Sequence, residues 1–594
     1  MLLTLDTLIH YAGVLALAYT GLTLATTLFS YVAHLLARGK TSAAFNSSPP
    51  PSSQIETDHP YGNSSPLSAH ETSSILGMRA SEIATAIATR KVSAVDVLGV
   101  FIHSALAAHT KTNCLTATLF PSALGVAQDI DAMVASSRSP AALLDQFPLL
   151  GVPMSIKDQI VVAGSHATCG LRALYAQGKA EEDGELVRAL RATGAIPFVK
   201  TNVPQLLMSN ESYNTVYGRT THPLDPSRSP GGSSGGEAAL LALRGAVVGI
   251  GSDIGGSLRI PASFTGLVTL KPTPLRMSRR GCVSPGANLQ TFVQPVCGPL
   301  GRCVADVGAV FESLVGQGVM SHHDAAIVPL PFRGDRADPR VMLDAPVRIG
   351  YYVHDGLFEA SPAYVRAVHM AVDALEAAGY VVVPFSPPNV DEAVKIWCAI
   401  MVADGMEGYA AKMEGEPMIP QYRLMHLSAS LGPWARSVFT TLLRLLGISR
   451  VADLASFARP RGVHEFLGLE AARAQYAHDF FDAWTVAGID AVVCPGFGVY
   501  PFPHDLSTKL NPSAASYTLL VNVLNTAAGT VPVTTVQEGE DVYDGERGGL
   551  DPIHAAAAAT ARGSVGLPVG VQVYAKPYDD ELVLRLMSVV EAGL

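Results

Sequence analysis

The sequence predicts an α/β protein in which helices cover a sheet, and three observations carry that expectation. Helical stretches such as residues 362–378 alternate with short Val/Ile-rich strands such as 246–250 and 380–384. Residues of the types AVILMFWYC make up 48 % of the 594-residue chain and charged residues 15 %, against a usual ~25 %. A chain of that composition buries a large core, which excludes wholesale disorder. The 54 Gly and 40 Pro call for many tight turns and close backbone approaches.

Charge and cysteine usage narrow the function. Forty-one Lys plus Arg against 51 Asp plus Glu leave a net charge of −10. No basic face is expected, so nucleic acid is excluded as a general partner. The seven Cys are odd in number and scattered, with no CxxC. That fits a reducing compartment, without a disulfide framework or a zinc knuckle.

Residues 7–37 carry no Asp, Glu, Lys or Arg, a run long enough for a membrane-spanning helix of roughly 20 residues. A cleaved signal peptide and a buried helix are the competing readings; Asp6 and the length of the run oppose the first. Arg38 and Lys40 follow the span, so positive-inside bias places the bulk of the chain in the cytosol, as a single-pass protein of an endomembrane. Residues 38–74, rich in Ser, Pro, Asn and Thr, read as a flexible linker. A catalytic domain fills 75–594; within it Ser93-Ala94-Val95-Asp96 is a helix-start pattern.

The strongest signal lies at residues 229–272: two Gly/Ser clusters joined by an apolar segment. A solvated linker would not carry that apolar stretch. Gly231-Gly232-Ser233-Ser234-Gly235 matches the G-x-S-x-G elbow, but His504 and His554 have no motif around them and the second cluster is left unexplained. Gly249, Gly251 and Gly255 have the wrong spacing for a dinucleotide loop. The reading that uses both clusters aims the backbone N–H groups of Ile254, Gly255, Gly256 and Ser257 at one point, an oxyanion hole beside a nucleophilic Ser257. A serine needs a base. Lys157, in the apolar stretch Leu150-Gly151-Val152-Pro153-Met154-Ser155-Ile156-Lys157-Asp158, becomes one if burial lowers its pKa; alone, it reads as a surface charge.

Taken together, GGSSGGE, DIGGSLRIP and the upstream GVPMSIKD resemble the amidase signature family, and the likeness runs from about Ile75 to the C-terminus. Within it, the chain is most similar to the membrane-anchored members that cleave fatty-acid amides. Thr201-Asn202-Val203-Pro204-Gln205, Val531-Pro532-Val533-Thr534-Thr535-Val536 and Val565-Gly566-Leu567-Pro568 are among the segments that carry this. The resemblance implies a mixed twisted sheet covered on both sides by helices, and a Ser-Ser-Lys triad. In that triad Ser257 attacks, Ser233 relays the proton to neutral Lys157, and water cleaves the acyl-enzyme. It implies no metal or organic cofactor. Ser234, Asp253 and Arg259 are expected to support the loop, and Leu207 and Met208 to line the acyl pocket or simply to pack in the core. Leu206-Leu207-Met208 and residues 538–563 depart from the pattern and leave substrate preference open.

Residues 424–450 are the expected membrane-binding cap. At 100° per residue, Leu431, Trp434, Val438, Leu442 and Leu445 fall within an ~80° arc, with Arg436 and Arg444 off it. An apolar face with Trp and flanking arginines suits an interfacial helix; a helix packed on the core is the alternative. The expected partners are a lipid amide, the bilayer and, as the resemblance allows, a second copy in a homodimer. His322-His323-Asp324 reads as solvated. The expected function is hydrolysis of N-acylethanolamines or primary fatty amides. A glutamine-dependent amidotransferase subunit and an inactive membrane scaffold are the alternatives.

Overall fold

A computed structural model describes residue 55 and residues 67–594, apart from 287–290, 317, 344, 446–448 and 544–551. The expected span at 7–37 and most of the expected linker lie outside the described residues. Among the described residues no helix is long and apolar enough to cross a membrane.

The first described helix, α1 (Ala69–Gly77), begins inside the stretch expected as linker. Ser68 Oγ accepts from the Glu71 N–H at 3.3 Å, and Glu71 Oε2 accepts from the Ser68 N–H at 3.0 Å. This reciprocal capping box starts the helix, a local signal that the Ser-rich composition hides. Helix α2 (Ala94–Thr112) starts as expected, with Ser93 Oγ accepting from the Asp96 N–H.

Thirteen strands are described: β1 (Leu115–Thr118), β2 (Pro153–Lys157), β3 (Ile196–Thr201), β4 (Tyr213–Asn214), β5 (Gly218–Arg219), β6 (Val248–Asp253), β7 (Val268–Lys271), β8 (Val296–Gly301), β9 (Arg348–Tyr351), β10 (Val381–Pro384), β11 (Ala491–Pro495), β12 (Ala527–Thr535) and β13 (Pro568–Ala575). All but the β4–β5 hairpin form one 11-stranded mixed sheet, in the order β1-β3-β2-β6-β8-β7-β12-β13-β11-β9-β10. The wings are partly parallel, β3 and β6 both pairing that way with β2, and β10 and β11 with β9. The strands between β6 and β11 pair antiparallel. Every residue of β2, β6, β7, β8 and β11 is buried, so both sheet faces are covered there. Such strands read as continuous apolar runs rather than alternating ones. Edge strand β10 is part-exposed throughout.

The helices that frame the site are α3 (Gly235–Ala242), α4 (Arg259–Thr265), α5 (Pro362–Ala377), α6 (Val390–Met401), α7 (Pro420–Ser430), α8 (Pro433–Leu445) and α9 (Ser516–Val523). Strand β6 runs on to Asp253, past the expected end at 250. It can do so through two glycines because the space at Gly249 is taken: a Cβ there would lie 2.0 Å from Glu237 Oε2. The strand thereby delivers Ser252 and Asp253 to the edge of the Gly-rich turn.

Candidate active site

Lys157 ends β2, the strand between β3 and β6, and its side chain is fully buried. Nζ lies 2.7 Å from Ser233 Oγ, 2.9 Å from Ser252 Oγ and 3.0 Å from Ser234 Oγ. Burial pushes the Lys157 ammonium down to about 8; the charges of Cys297 and Asp253 oppose this only in part. The neighbours then fix the orientation of the neutral amine. Ser252 Oγ donates to Gln159 Oε1 at 2.7 Å, and Ser234 Oγ donates to the Ser252 carbonyl at 3.4 Å. Both hydroxyls have committed their protons and can only accept from the lysine. A neutral amine has two N–H bonds and one lone pair. With the N–H bonds turned to Ser234 and Ser252, the lone pair faces Ser233.

Behind the lysine, Glu237 of α3 accepts hydrogen bonds from Ser155 and Thr201 in full burial. Burial raises its carboxyl to about 7 against those hydrogen bonds. Two roles thus differ from expectation. Ser234 contacts the lysine itself besides supporting the loop, and Ser252 and Glu237, neither expected from the sequence, complete the surroundings of the base. Ser252 was signalled only weakly, as a hydroxyl in an otherwise apolar and glycine strand next to Asp253.

The turn between β6 and α4 holds the nucleophile candidate. Asp253 Oδ1 accepts from the Gly256 N–H at 2.9 Å and Oδ2 from the Leu258 N–H at 3.1 Å. Arg259 grips the same carboxylate through Nε at 3.0 Å and Nη2 at 2.8 Å, and Asn522 donates to it at 3.0 Å. Burial alone would raise the Asp253 carboxyl, but Arg259 and Asn522 hold it well below the usual carboxylate range. Arg259 also donates to the Thr518 carbonyl and to Gln572 and Asn522. Every end of the guanidinium is engaged, as a buried ion pair requires. Gly256 has φ +114°, and a Cβ there would meet Thr518 Oγ1 at 2.5 Å. No other residue fits that conformation without strain.

Two carbonyls of the turn are pinned from outside. Trp397 of α6 donates Nε1–H to the Ile254 carbonyl at 2.9 Å, and Thr518 of α9 donates to the Gly255 carbonyl at 3.0 Å. In a trans peptide the C=O of one residue and the N–H of the next point opposite ways. Trp397 therefore aims the Gly255 N–H away from its indole, and Thr518 aims the Gly256 N–H away from α9, onto Asp253. The expected oxyanion set is corrected accordingly: the Gly256 amide is committed to Asp253, which leaves Ile254, Gly255 and Ser257. Neither Trp397 nor Thr518 lies in a motif that sequence reading could single out.

Ser257 is half-buried, and its carbonyl accepts from the Ser234 N–H at 3.1 Å. This backbone bond joins the two serine clusters. Among the described residues Ser257 Oγ has no hydrogen-bond partner, so the structure brings Lys157 to Ser233 but does not bring the Ser257 hydroxyl onto Ser233. Among the described residues no three His, Cys, Asp or Glu side chains group as a metal site.

The amidase family model matches residues 96–584. The chain belongs to the amidase signature family. It is 34 % identical over 523 residues to fatty-acid amide hydrolase 1 of Sus scrofa, covering 87 % of this chain and 86 % of that one. It is 28 % identical over 523 residues to an acetamidase of Emericella nidulans, covering 86 % and 88 %. A solved fatty acid amide hydrolase superposes with a TM-score of 0.75 at 26 % identity, covering 89 % of this chain and 86 % of that one. The chain is thus an amide hydrolase.

This amidase also clamps the loop after β3 to one helix. Leu206 and Leu207 have φ of +61° and +60°, a left-handed pair that costs strain and needs outside support. Gln205 supplies it. Its Nε2 donates to Glu416 Oε1 at 3.0 Å and the Pro417 carbonyl at 3.2 Å, and its Oε1 accepts from the Ile419 N–H at 3.0 Å. Tyr422 of α7 donates to the Gln205 carbonyl and accepts from the Met208 N–H at 3.1 Å. Leu207 and Met208 are half-buried, Met208 against the core. The structure gives them a clamped turn, not a contact with the serines.

Helix α8 is built inside out. Trp434 and Leu445 are 69 % and 78 % exposed, while Arg436 and Thr440 are buried. Arg436 is corrected from a flanking interfacial charge to an inward one, donating to the Ser428 and Leu431 carbonyls. Arg444 stays exposed and pairs with Asp453 at 2.8 Å.

Proposed function

We propose that this amidase hydrolyses long-chain fatty-acid amides, N-acylethanolamines and primary fatty amides, to the free acid and the amine. The observation that carries the chemistry is the buried Lys157 amine 2.7 Å from Ser233 Oγ. Ser233 passes its proton to Lys157 and accepts one from Ser257 as the Ser257 Oγ–carbonyl bond forms. The negative charge on the carbonyl oxygen falls to the N–H groups of Ile254, Gly255 and Ser257; one such donor is typically worth about 10²–10³ in rate. The proton returns along Ser233 to the leaving amine as the C–N bond breaks. Water, deprotonated along the same route, then cleaves the acyl-enzyme and restores Ser257. Amine, hydroxyls and backbone amides complete this sequence without a cofactor.

The lipid part of the reading is supported by α8, whose Trp434 and Leu445 face outward. An interfacial helix of this kind hands an apolar substrate over without a passage through water. Leu207 and Met208 would meet the acyl chain. The charge-free run at 7–37 would anchor the chain as a single-pass protein with the catalytic domain in the cytosol. The deciding experiment is a competition among oleamide, an N-acylethanolamine, acetamide and glutamine on purified protein. The lipid amides should dominate kcat/KM; a preference for acetamide or glutamine overturns the substrate class and leaves the triad standing.

A further inference from the structure

We propose that Cys282 and Cys297 form an oxidisable dithiol, and that closing it to a disulfide with a peroxide shuts off the base at Lys157. The two sulfurs lie 3.6 Å apart, in contact but unbonded. Both thiols are free, Cys297 buried and Cys282 half-buried.

The register places this pair beside the base. Cys297 on β8 stands directly opposite Ser252 on β6, so the two side chains share one face of the sheet, with Cβ atoms about 4.5–5.5 Å apart. Ser252 Oγ is the group 2.9 Å from Lys157 Nζ. Cys282 sits in a segment stitched to the residues just after the lysine. The Val283 N–H donates to the Gln159 carbonyl and the Val161 N–H to the Gly281 carbonyl, both at 2.9 Å. Gln159 in turn accepts from Ser252. A bond between the sulfurs would therefore draw together two elements that meet at the Ser252–Gln159 hydrogen bond, the contact that orients the amine.

The chemistry balances with hydrogen peroxide as oxidant. The O–O bond breaks, the S–S bond forms, and the two thiol protons leave with the oxygens as two waters. The first step needs a thiolate. Cys297 is its site: the Cys282 S–H donated to it lowers its pKa against burial, and the Arg279 and Lys157 charges help. Closure shortens the sulfur separation from 3.6 Å to about 2.05 Å, a shift of ångström scale next to the base.

The effect on turnover rests on Lys157 being the base, whereas the cross-link itself does not. The test is therefore read twice on the reduced full-length protein after hydrogen peroxide. Peptide mapping should show residues 282 and 297 linked, lighter by two hydrogens, and amide hydrolysis should fall on the order of 10²-fold, the cost of an ångström-scale misplacement. Dithiothreitol should reverse both. C282S should turn over like the reduced wild type and lose the peroxide effect. Absence of the 282–297 link, or a link to Cys169, whose Sγ lies 3.6 Å from the Val283 carbonyl, overturns the proposal. So does a link with unchanged turnover, or a C282S protein still inactivated. Failure of the triad reading would appear separately, as K157A retaining full activity without any oxidant.

Discussion

The turn from Asp253 to Arg259 and the helix α8 are built on opposite rules. In the turn, polar groups lie inside and nearly all are tied: one carboxylate receives Gly256, Leu258, Arg259 and Asn522. In α8 a buried arginine and threonine face inward while Trp434 and Leu445 face out. The first environment is supplied by the chain itself; the second leaves its large apolar side chains in the open. A self-contained site tolerates almost no change, since each group has several partners. An exposed face has few internal partners to lose and tolerates change without loss of folding.

That contrast can be broken or sharpened by substitution. The largest effect belongs to Ser257→Ala, which should abolish hydrolysis and fluorophosphonate labelling with the circular dichroism unchanged; labelling that survives would move the nucleophile elsewhere. Lys157→Ala should lower kcat/KM by about 10²–10⁴, the range of general-base contributions. The pH profile supplies the sign: a base works when neutral, so wild-type activity should rise with pH through about 8, where burial has brought the lysine, and level off above it. A profile flat from pH 6 to 9 contradicts the assignment. Trp397→Phe keeps an aromatic ring but removes the N–H from the Ile254 carbonyl, and should lower kcat by about tenfold with KM unchanged, less than the loss of a whole oxyanion donor because the Gly255 N–H itself remains. A rise in KM alone would make Trp397 a wall of the pocket instead. Smallest is the double change Trp434→Ser with Leu445→Ser. It should raise KM several-fold for oleamide in vesicles and leave a soluble short amide untouched; equal effects on both would place α8 in the core machinery.

The same contrast explains what could be read from the chain alone. Lys157, Ser233, Ser234, Asp253, Ser257 and Arg259 sit in short dense motifs, because a turn that satisfies its own polar groups needs its residues close in sequence. The α/β alternation was legible for a related reason, since strands buried on both faces read as apolar runs. Trp397 and Thr518 were not legible: each reaches the turn from a distant helix, and a lone Trp or Thr has no spacing to betray it. Ser252 and Glu237 were hidden because their partners come from β2 and β3, through register that no local pattern encodes. The direction of Arg436 was missed because an arc on a helical wheel says which residues cluster, not which side faces the protein.

The Gln205 amide has both ends engaged on residues 416–419, and Tyr422 closes the same loop from the next helical turn. The loop after β3 and the start of α7 are therefore geared to each other. A tilt of α7 is felt at Gln205 and at Met208 through one hydrogen bond each from Tyr422. If Leu207 and Met208 meet the acyl chain as proposed, a change of tail length there has to be matched at Tyr422 and the residues that follow it.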